Sequence, residues 1–455
     1  MMFMFQILLI FKMKPKLIFK VNINKHHCRK TSKLERTRYR NHNKPADFFL
    51  GFSHTSGFPL LLCDSFIYIT GKVSTLTTME DVTCERIMKK IEAVLSQDTL
   101  LDEFDIVFSL GEVNRSPVVH VEHKLGLESW CVKHVYAYAY AKIMGSKQTK
   151  RREDPAQVLR WTQFCLLIAP EVTTFWNLRK VLLGQGDLSA NLELHFTRLI
   201  LSRKPKCMEV FQHRKWMFKN VIAKVIPQQA NGPNGIDPEH HNGNGVVFHS
   251  EQIERFLFAE LDLCTWAANK HQNNYHSWNH RLWVIQQFAT YVGLVDVCRA
   301  EYEESHKWIS VHVSEHSGLH YLQYLLDSIV SLVNESKVEN VSEIVPYVNS
   351  VTKLYQRELD FNRDLIEEYE DHEALFCHRR FLLTRLRDLL CSSPQRTCSP
   401  PPPALKRSCV ETVNSEWSSV LLGEHFLIEK CTQKKTYQKT LGEKHAQWLN
   451  NVIGI

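Results

Sequence analysis

Three histidines recur at four-residue intervals in this sequence, and imidazoles at that spacing can ligate a metal ion. His312, His316 and His320 stand at i, i+4 and i+8. A helix would place them on one face, where adjacent pairs could hold Zn²⁺. No nearby cysteine or carboxylate completes a ligand set. The segment HEALFCH (372–378) is not H-E-x-x-H, because its second histidine comes at i+6 and faces elsewhere on a helix. We therefore predict no metal site in this chain.

The common short motifs of catalysis and phosphate binding are absent. The 455 residues contain no P-loop, no G-x-S-x-G and no G-x-G-x-x-G. The 13 cysteines include no C-x-x-C pair, which predicts reduced thiols and a cytoplasmic location. No run of 18 apolar residues occurs, so we predict no transmembrane segment. These observations favour a scaffold over a self-contained enzyme.

The net charge of +7 is carried by the start of the chain. Residues 1–78 hold 13 Lys and Arg against three acids, whereas the rest holds 43 against 46. The rest is nearly neutral and shows no basic face with interleaved aromatics, so we predict no nucleic-acid binding. Met79 opens an amphipathic helix with an acidic first turn. We interpret residues 1–78 as a basic N-terminal extension, disordered or an artefact of an over-long gene model, with a targeting segment as the alternative.

An internal repeat organises the rest of the chain. The segment YHSWNHRLWVIQQF (275–288) recurs four times in weaker form, each copy built on one anchor residue. Three of the anchors are preceded, 18 residues earlier, by a Glu-Leu pair that begins at Glu193, Glu260 or Glu358. The anchors in chain order are Trp176, Phe211, Trp278, Gly318 in the most degenerate copy, and Phe376.

Each repeat is interpreted as a helical hairpin. Helix A is expected to begin near the Glu-Leu pair, a turn with Pro or Asn follows, and helix B carries the anchor. The first two anchors are 35 residues apart, which is typical of hairpin solenoids. We predict an all-α, TPR-like superhelical solenoid of about five repeats. Its parts are a helical segment at 79–153, repeats at 154–390 with an inserted loop at 227–245, a Pro-rich linker at 391–410 and a C-terminal helical segment at 411–455.

The residues that recur in every repeat are expected to be scaffold, because a catalytic group is needed only once. The aromatic anchor fills the space between hairpins. The arginine three positions later is expected to satisfy carbonyls at the end of a neighbouring helix A, and the histidine to bridge backbone groups of the turn. The predicted scaffold set is Trp176, Arg179, Phe211, His213, Arg214, Trp278, His280, Arg281, His320, Phe376, His378 and Arg379.

These repeats resemble the α subunits of protein prenyltransferases. NYHSWNHRLWVIQQF (274–288) is the strongest match, and the segments at 114–133, 312–321 and 371–380 fit the same family. The resemblance covers roughly residues 110–390. It implies a crescent of α-α hairpins against a separate β subunit, which holds the catalytic zinc and the isoprenoid pocket. It implies no cofactor in this chain, and an isoprenoid diphosphate as co-substrate of the complex.

The resemblance also implies residues at the edge of the active-site cleft. In that family a lysine in the turn before a W-x-H-R helix reaches the isoprenoid diphosphate. Carried by position onto the third repeat, it falls at Asn273, which can donate a hydrogen bond but cannot neutralise charge. Tyr275 is kept and corresponds to a tyrosine that borders the cleft, and His316 is a third cleft-edge candidate. We therefore assign no residue of this chain as catalytic, and we expect the chain to be a non-catalytic or accessory subunit.

The function implied is that of an α-type subunit in a heterodimeric geranylgeranyltransferase. The complex would transfer a C20 isoprenoid to a cysteine near the C-terminus of client proteins, with Zn²⁺ on the β subunit lowering the thiol pKa. The expected β partner is the β subunit of the Rab geranylgeranyltransferase. The alternative is a free-standing helical-repeat adaptor that binds proteins or peptides without transferase activity.

Overall fold

The structure, a computed structural model, describes residues 80–108, 116–149, 153–223, 244–291, 293–391 and 403–453. These belong to one compact unit, Thr77–Ile455. The predicted extension at 1–78, residues 227–243 of the predicted loop and residues 392–402 of the predicted linker lie outside the described residues. Among the helices described, none is both long and apolar enough to cross a bilayer.

A small sheet precedes the repeats, enclosed by two helices. The elements are α1 (Asp81–Gln97), β1 (Glu103–Val107), β2 (Val118–Val121), β3 (Lys124–Glu128) and α2 (Ser129–Thr149). Strand β3 is central, parallel to β1 and antiparallel to β2. Phe104, Val118, Leu125 and Leu127 are buried in the core with α1 and α2. The segment at 79–153, predicted to be helical, thus contains two helices and also a three-stranded sheet that was not predicted. Strands of four or five residues gain their stability from partners distant in sequence, which a scan for helical periodicity does not detect.

Six helical hairpins follow in the part of the chain that the structure describes. They are α3 (Pro155–Ile168) with α4 (Thr173–Gln185), α5 (Ala190–Arg203) with α6 (Met208–Met217), α7 (Asn244–Lys270) with α8 (Tyr275–Tyr291), α9 (Val295–Ile309) with α10 (His316–Asn334), α11 (Val351–Glu368) with α12 (Glu373–Cys391), and α13 (Pro403–Thr432) with α14 (Tyr437–Trp448). A 3₁₀ turn lies at Val341–Glu343, and π-helical turns extend α6 and α14 at Phe218–Ile222 and Leu449–Ile453. The prediction of an all-α repeat solenoid is confirmed.

Two predicted boundaries differ from the structure, since α7 begins at Asn244 within the predicted loop and α13 begins within the predicted linker. Helix α13 begins at Pro403, inside the predicted linker, because proline lacks only an N–H that the first turn of a helix leaves unpaired anyway. The C-terminal segment is a sixth hairpin of the same kind. Its anchor position holds Gly442, where a Cβ would lie 2.9 Å from Cβ of Cys431, so the repeat is hard to recognise there.

The aromatic anchors lie between the hairpins. Trp176, Phe211, Trp278 and Phe376 are all buried. In the fourth hairpin a Cβ on Gly318 would come within 2.7 Å of the Trp308 ring. The glycine therefore lets Trp308 pack edge-on against Trp278, with 4.8 Å between ring centroids.

Candidate functional site

A chain of buried arginine, glutamate and histidine side chains links successive hairpins. Glu193 on α5 accepts hydrogen bonds from Arg179 of the preceding hairpin and from His213 of its own B helix, with Nε–Oε1 and Nε2–Oε1 distances of 2.9 and 2.8 Å. All three side chains are nearly excluded from solvent. The Glu193 carboxylate is thus shared between two hairpins and accepts hydrogen bonds from both of them.

The same arrangement recurs along the solenoid. The carboxylate lies 20 or 21 residues before the histidine or tyrosine that it binds, and the arginine comes from the hairpin before. The further sets are Arg214–Glu260–His280, Arg281–Glu301–Tyr321 and Arg379–Glu424–His445. The Glu-Leu signal therefore marks this buried carboxylate and not the start of helix A, since Glu260 lies deep inside α7.

In the three sets that contain a histidine, the arginine and glutamate form a permanent ion pair beside a neutral histidine. Burial raises the pKa of Glu260, but Arg214 and His280 lower it by more, to about 2. Burial lowers the pKa of His280, and its hydrogen bond to Glu260 offsets this only in part. Arg214 also donates from Nη1 to the Leu194 carbonyl at 2.8 Å. Leu194 lies near the start of helix A of the same hairpin, so this is not the predicted contact with the end of a neighbouring helix A. The carboxylate is the partner that the sequence did not reveal.

The fourth hairpin departs from this pattern. Glu301 binds Tyr321, so the register is one residue later than predicted, with Leu319 buried at the anchor position. His320 is therefore not part of the scaffold and lies exposed on α10. Leu322, three residues after Leu319, occupies the position that arginine holds in the other repeats.

The turns between A and B helices lie side by side and contact one another. Asn274 is fully buried and donates from Nδ2 to the Pro205 carbonyl of the preceding turn at 2.8 Å. Asn273 has a left-handed backbone, with φ of 52°. Its N–H donates to Oε1 of Glu315 at 2.6 Å, and its Oδ1 accepts from the N–H of His316 at 3.0 Å. The Asn273 side chain therefore caps helix α10.

This cap is a repeated structural contact. Asp371, with φ of 72°, holds the corresponding position before α12. Its N–H donates to Oε1 of Gln438 at 2.8 Å, and its Oδ1 accepts from the N–H of Gln438 at 2.5 Å. Asn273 thus has a structural role that its assignment to the cleft edge did not anticipate.

A lysine does stand at the equivalent turn position one hairpin earlier. Asn273 precedes its anchor by five residues, and Lys206 precedes Phe211 by the same five. Lys206 is exposed and forms no ion pair with any side chain that the structure describes. Carrying the family lysine onto the third repeat alone missed this residue, although the five-residue spacing would have found it.

Lys206 lies close to the turn that begins α8. Burial lowers the pKa of His276, Glu209 raises it, and the ammonium of Lys206 lowers it further. The rings of His276 and Tyr275 meet edge to face at 5.7 Å. A cation, an imidazole and a phenol from two neighbouring turns are thus brought together.

Tyr275 and His316 also line one cleft of about 480 Å³ between α8, α10 and α12. Tyr275 is 59% exposed, and His316 and His320 are exposed as well. Among the described residues, no lysine, arginine, aspartate or glutamate lines this cleft. Its other walls are Ser317, Leu319, His320, Gln323, Ala374, Cys377, His378 and Phe381.

His312, His316 and His320 do not all lie on one helix. Helix α10 begins at His316, so His312 lies in the preceding turn, where its ring stacks on Trp308 at 3.9 Å. Within the described ranges, no group of three His, Cys, Asp or Glu side chains could hold a metal ion.

The fold and the buried sets define a repeat protein built of helical hairpins. The family described as "Protein prenyltransferase alpha subunit repeat" matches residues 257–288 and 355–386. The Homo sapiens protein "Protein prenyltransferase alpha subunit repeat-containing protein 1" is 33% identical over 322 residues, which are 66% of this chain and 77% of the relative. The Xenopus laevis protein "Protein prenyltransferase alpha subunit repeat-containing protein 1-A" is 30% identical over 338 residues, 69% of this chain and 75% of the relative. The chain belongs to this family of protein prenyltransferase α-subunit repeat-containing proteins.

Proposed function

We propose that this chain is a cytoplasmic α-type subunit of a heterodimeric protein geranylgeranyltransferase. Its partner would be the β subunit of the Rab geranylgeranyltransferase, which would hold the zinc and the isoprenoid pocket. The described residues of this chain supply no zinc ligand set of their own. Family membership supports the α-type role. The chain would support transfer to C-terminal cysteines of client proteins without holding the reacting thiol itself.

The observation that carries the proposal is the exposed Lys206 beside the turn that bears Tyr275. The Asn274–Pro205 hydrogen bond fixes these two turns against each other. An ammonium about 4 Å from a phosphate gains on the order of 1–4 kcal/mol, depending on solvent access. Negative charge builds on the diphosphate as it leaves, so a fixed cation there stabilises the transition state. Lys206 would supply the charge that Asn273 lacks.

Tyr275 would act at the edge of the same region. Its ring is exposed between the Lys206 turn and the cleft that also contains His316. A phenol at this place can contact the client polypeptide through its ring and donate a hydrogen bond through its hydroxyl. Because the Asn273 side chain caps α10, it would position the turn and would not contact the diphosphate.

The test is reconstitution with the β subunit, followed by native mass spectrometry and a transfer assay with the isoprenoid diphosphate titrated. Lys206→Ala is expected to weaken apparent diphosphate affinity or slow transfer about tenfold or more, since 1.4 kcal/mol is a factor of ten. Lys204→Ala is the matched control, because Lys204 lies in the same turn but is already paired with Glu171 at 2.5 Å.

Three outcomes decide between the functions. Transfer that depends on Lys206 but not on Lys204 supports the proposal. An intact, active heterodimer in which Lys206→Ala changes nothing would remove this turn from the diphosphate site. If the chain purifies from cells with proteins but without any β subunit, the adaptor alternative is supported.

A further inference from the structure

One junction between hairpins holds its buried carboxylate without an arginine. Leu322 on α10 occupies the arginine position, so among the described residues no guanidinium contacts Glu358 on α11. Glu358 is completely buried. It accepts hydrogen bonds from the Tyr302 hydroxyl and from His306, whose Nε2 lies 3.0 and 3.1 Å from the two carboxylate oxygens. We call Tyr302, His306 and Glu358 the proton-dependent junction.

The geometry of His306 and Glu358 requires one proton between them, in addition to the proton on Nδ1 of His306. Nδ1 lies 2.8 Å from the carbonyl oxygen of Tyr302, which can only accept. Nε2 faces the Glu358 carboxylate, which also only accepts when it is ionised. If the proton sat on Glu358 instead, the pair would still hold it. Either way this junction contains one exchangeable proton that the arginine junctions do not need.

The surroundings of the pair favour the charged form. Burial lowers the pKa of His306, but the hydrogen bond and charge of Glu358 raise it by more, to above its ordinary value. Arg357 on α11 opposes this weakly. Burial raises the pKa of Glu358, but the hydrogen bonds from His306 and Tyr302 and the charge of His306 lower it to below its ordinary value. His378 on α12 is itself neutral, since burial brings its pKa to about 4.

The other histidines of the buried sets behave in the opposite way. The pKa values of His213, His280 and His445 lie below the ordinary value, because burial outweighs a carboxylate that an arginine already neutralises. His306 differs also in access, since its side chain is 18% exposed and can exchange its proton with solvent.

We propose that the contact between the fourth and fifth hairpins is controlled by this single proton, firm when His306 and Glu358 hold it and loosened when it is lost. Because the folded pKa of His306 is raised, its stabilisation is fully present below the unfolded value of about 6.5 and is lost as pH rises through the folded value. Gln323 and His378, joined at 3.3 Å, line the cleft beside this junction. Loss of the proton would therefore loosen α9, which carries His306, against α11, which carries Glu358.

The direct test is exchange of the imidazole C2–H with deuterium, followed by mass spectrometry, on the full chain across pH. The pKa of His306 is expected above 6.5, and those of His213 and His280 below it. Glu358→Gln removes the charge and should shift the pKa of His306 to below its ordinary value. Glu260→Gln, made at an arginine junction, should leave His306 unchanged. A wild-type pKa of His306 at or below the ordinary value would overturn the proposal, as would a Glu358→Gln variant with the wild-type pKa.

The second measurement is the urea midpoint between about pH 6 and 9. The buried histidines with lowered pKa values contribute alike to all three proteins, so the comparison is between their slopes. As pH rises, the wild-type and Glu260→Gln midpoints should fall in parallel relative to the Glu358→Gln midpoint. Equal slopes for all three proteins would contradict the proposal. If Glu358→Gln does not fold, the wild-type exchange measurement still decides, and it does not depend on a β subunit or on transferase activity.

Discussion

Removal of one guanidinium should destabilise the solenoid at a single defined junction. Arg214→Met keeps much of the aliphatic length of the side chain but leaves Glu260 buried with only His280 as a partner. Glu260 is fully buried, and its pKa is held at about 2, against 4.5 without the fold. At about 1.4 kcal/mol per pKa unit, this difference corresponds to roughly 3 kcal/mol at neutral pH. Breaking a buried ion pair by removing one partner costs about 3–5 kcal/mol, so the two figures agree.

The sign of the pH dependence follows from the lowered pKa. The stabilisation from Glu260 is present above pH 4.5 and is lost as pH falls through about 2. Urea denaturation of the full chain, followed by far-UV circular dichroism at pH 7, should therefore show a loss of about 3–5 kcal/mol for Arg214→Met. At pH 2.5 the difference from wild type should be much smaller.

Lys215→Met is the matched control. Lys215 is the next residue on α6, half-buried, and its Nζ lies over the Trp283 ring at 5.5 Å without a carboxylate partner. Because burial already lowers the pKa of Lys215, removing its charge should cost less than about 1 kcal/mol. The double variant Arg214→Met/Glu260→Leu should recover part of the loss, since no buried charge then remains unpaired. A cost below about 1 kcal/mol for Arg214→Met, or an equal cost for Lys215→Met, would refute the reasoning.

Three further outcomes are expected. Trp278→Ala should cost roughly 3–5 kcal/mol by opening a cavity between hairpins, and a melting temperature within a degree of wild type would argue against a scaffold role. Asn273→Lys should lower stability by about 0.5–2 kcal/mol, because it removes the cap of α10 and places a long side chain at a positive φ; tighter diphosphate binding without that loss would restore this residue to the cleft edge. The isolated chain should contain no stoichiometric zinc by elemental analysis, and one tightly held zinc in it would contradict this prediction. Replacing His312 and His316 together should leave the zinc content of a heterodimer unchanged.

The sequence by itself determined the repeat and the hairpins. The aromatic, histidine and arginine residues of a B helix lie within four positions of one another, so the pattern is local and survives insertions elsewhere. A residue that must fill the same space in each hairpin recurs at the same place, which is why Trp278 could be aligned with Phe211 and Phe376. The constant offset from the glutamate was equally visible, although its meaning was not.

Only the tertiary structure decided what the repeated polar residues bind. Arg214 and Glu260 are 46 residues apart, and their separation includes a long insertion, so no local pattern joins them. The shift from His320 to Tyr321 became apparent only when Glu301 supplied a partner to identify the register. The sheet of β1, β2 and β3 likewise depends on pairing between separate segments. These features arise from contacts between elements that are brought together by packing, and their free energy depends on burial that a linear sequence does not record.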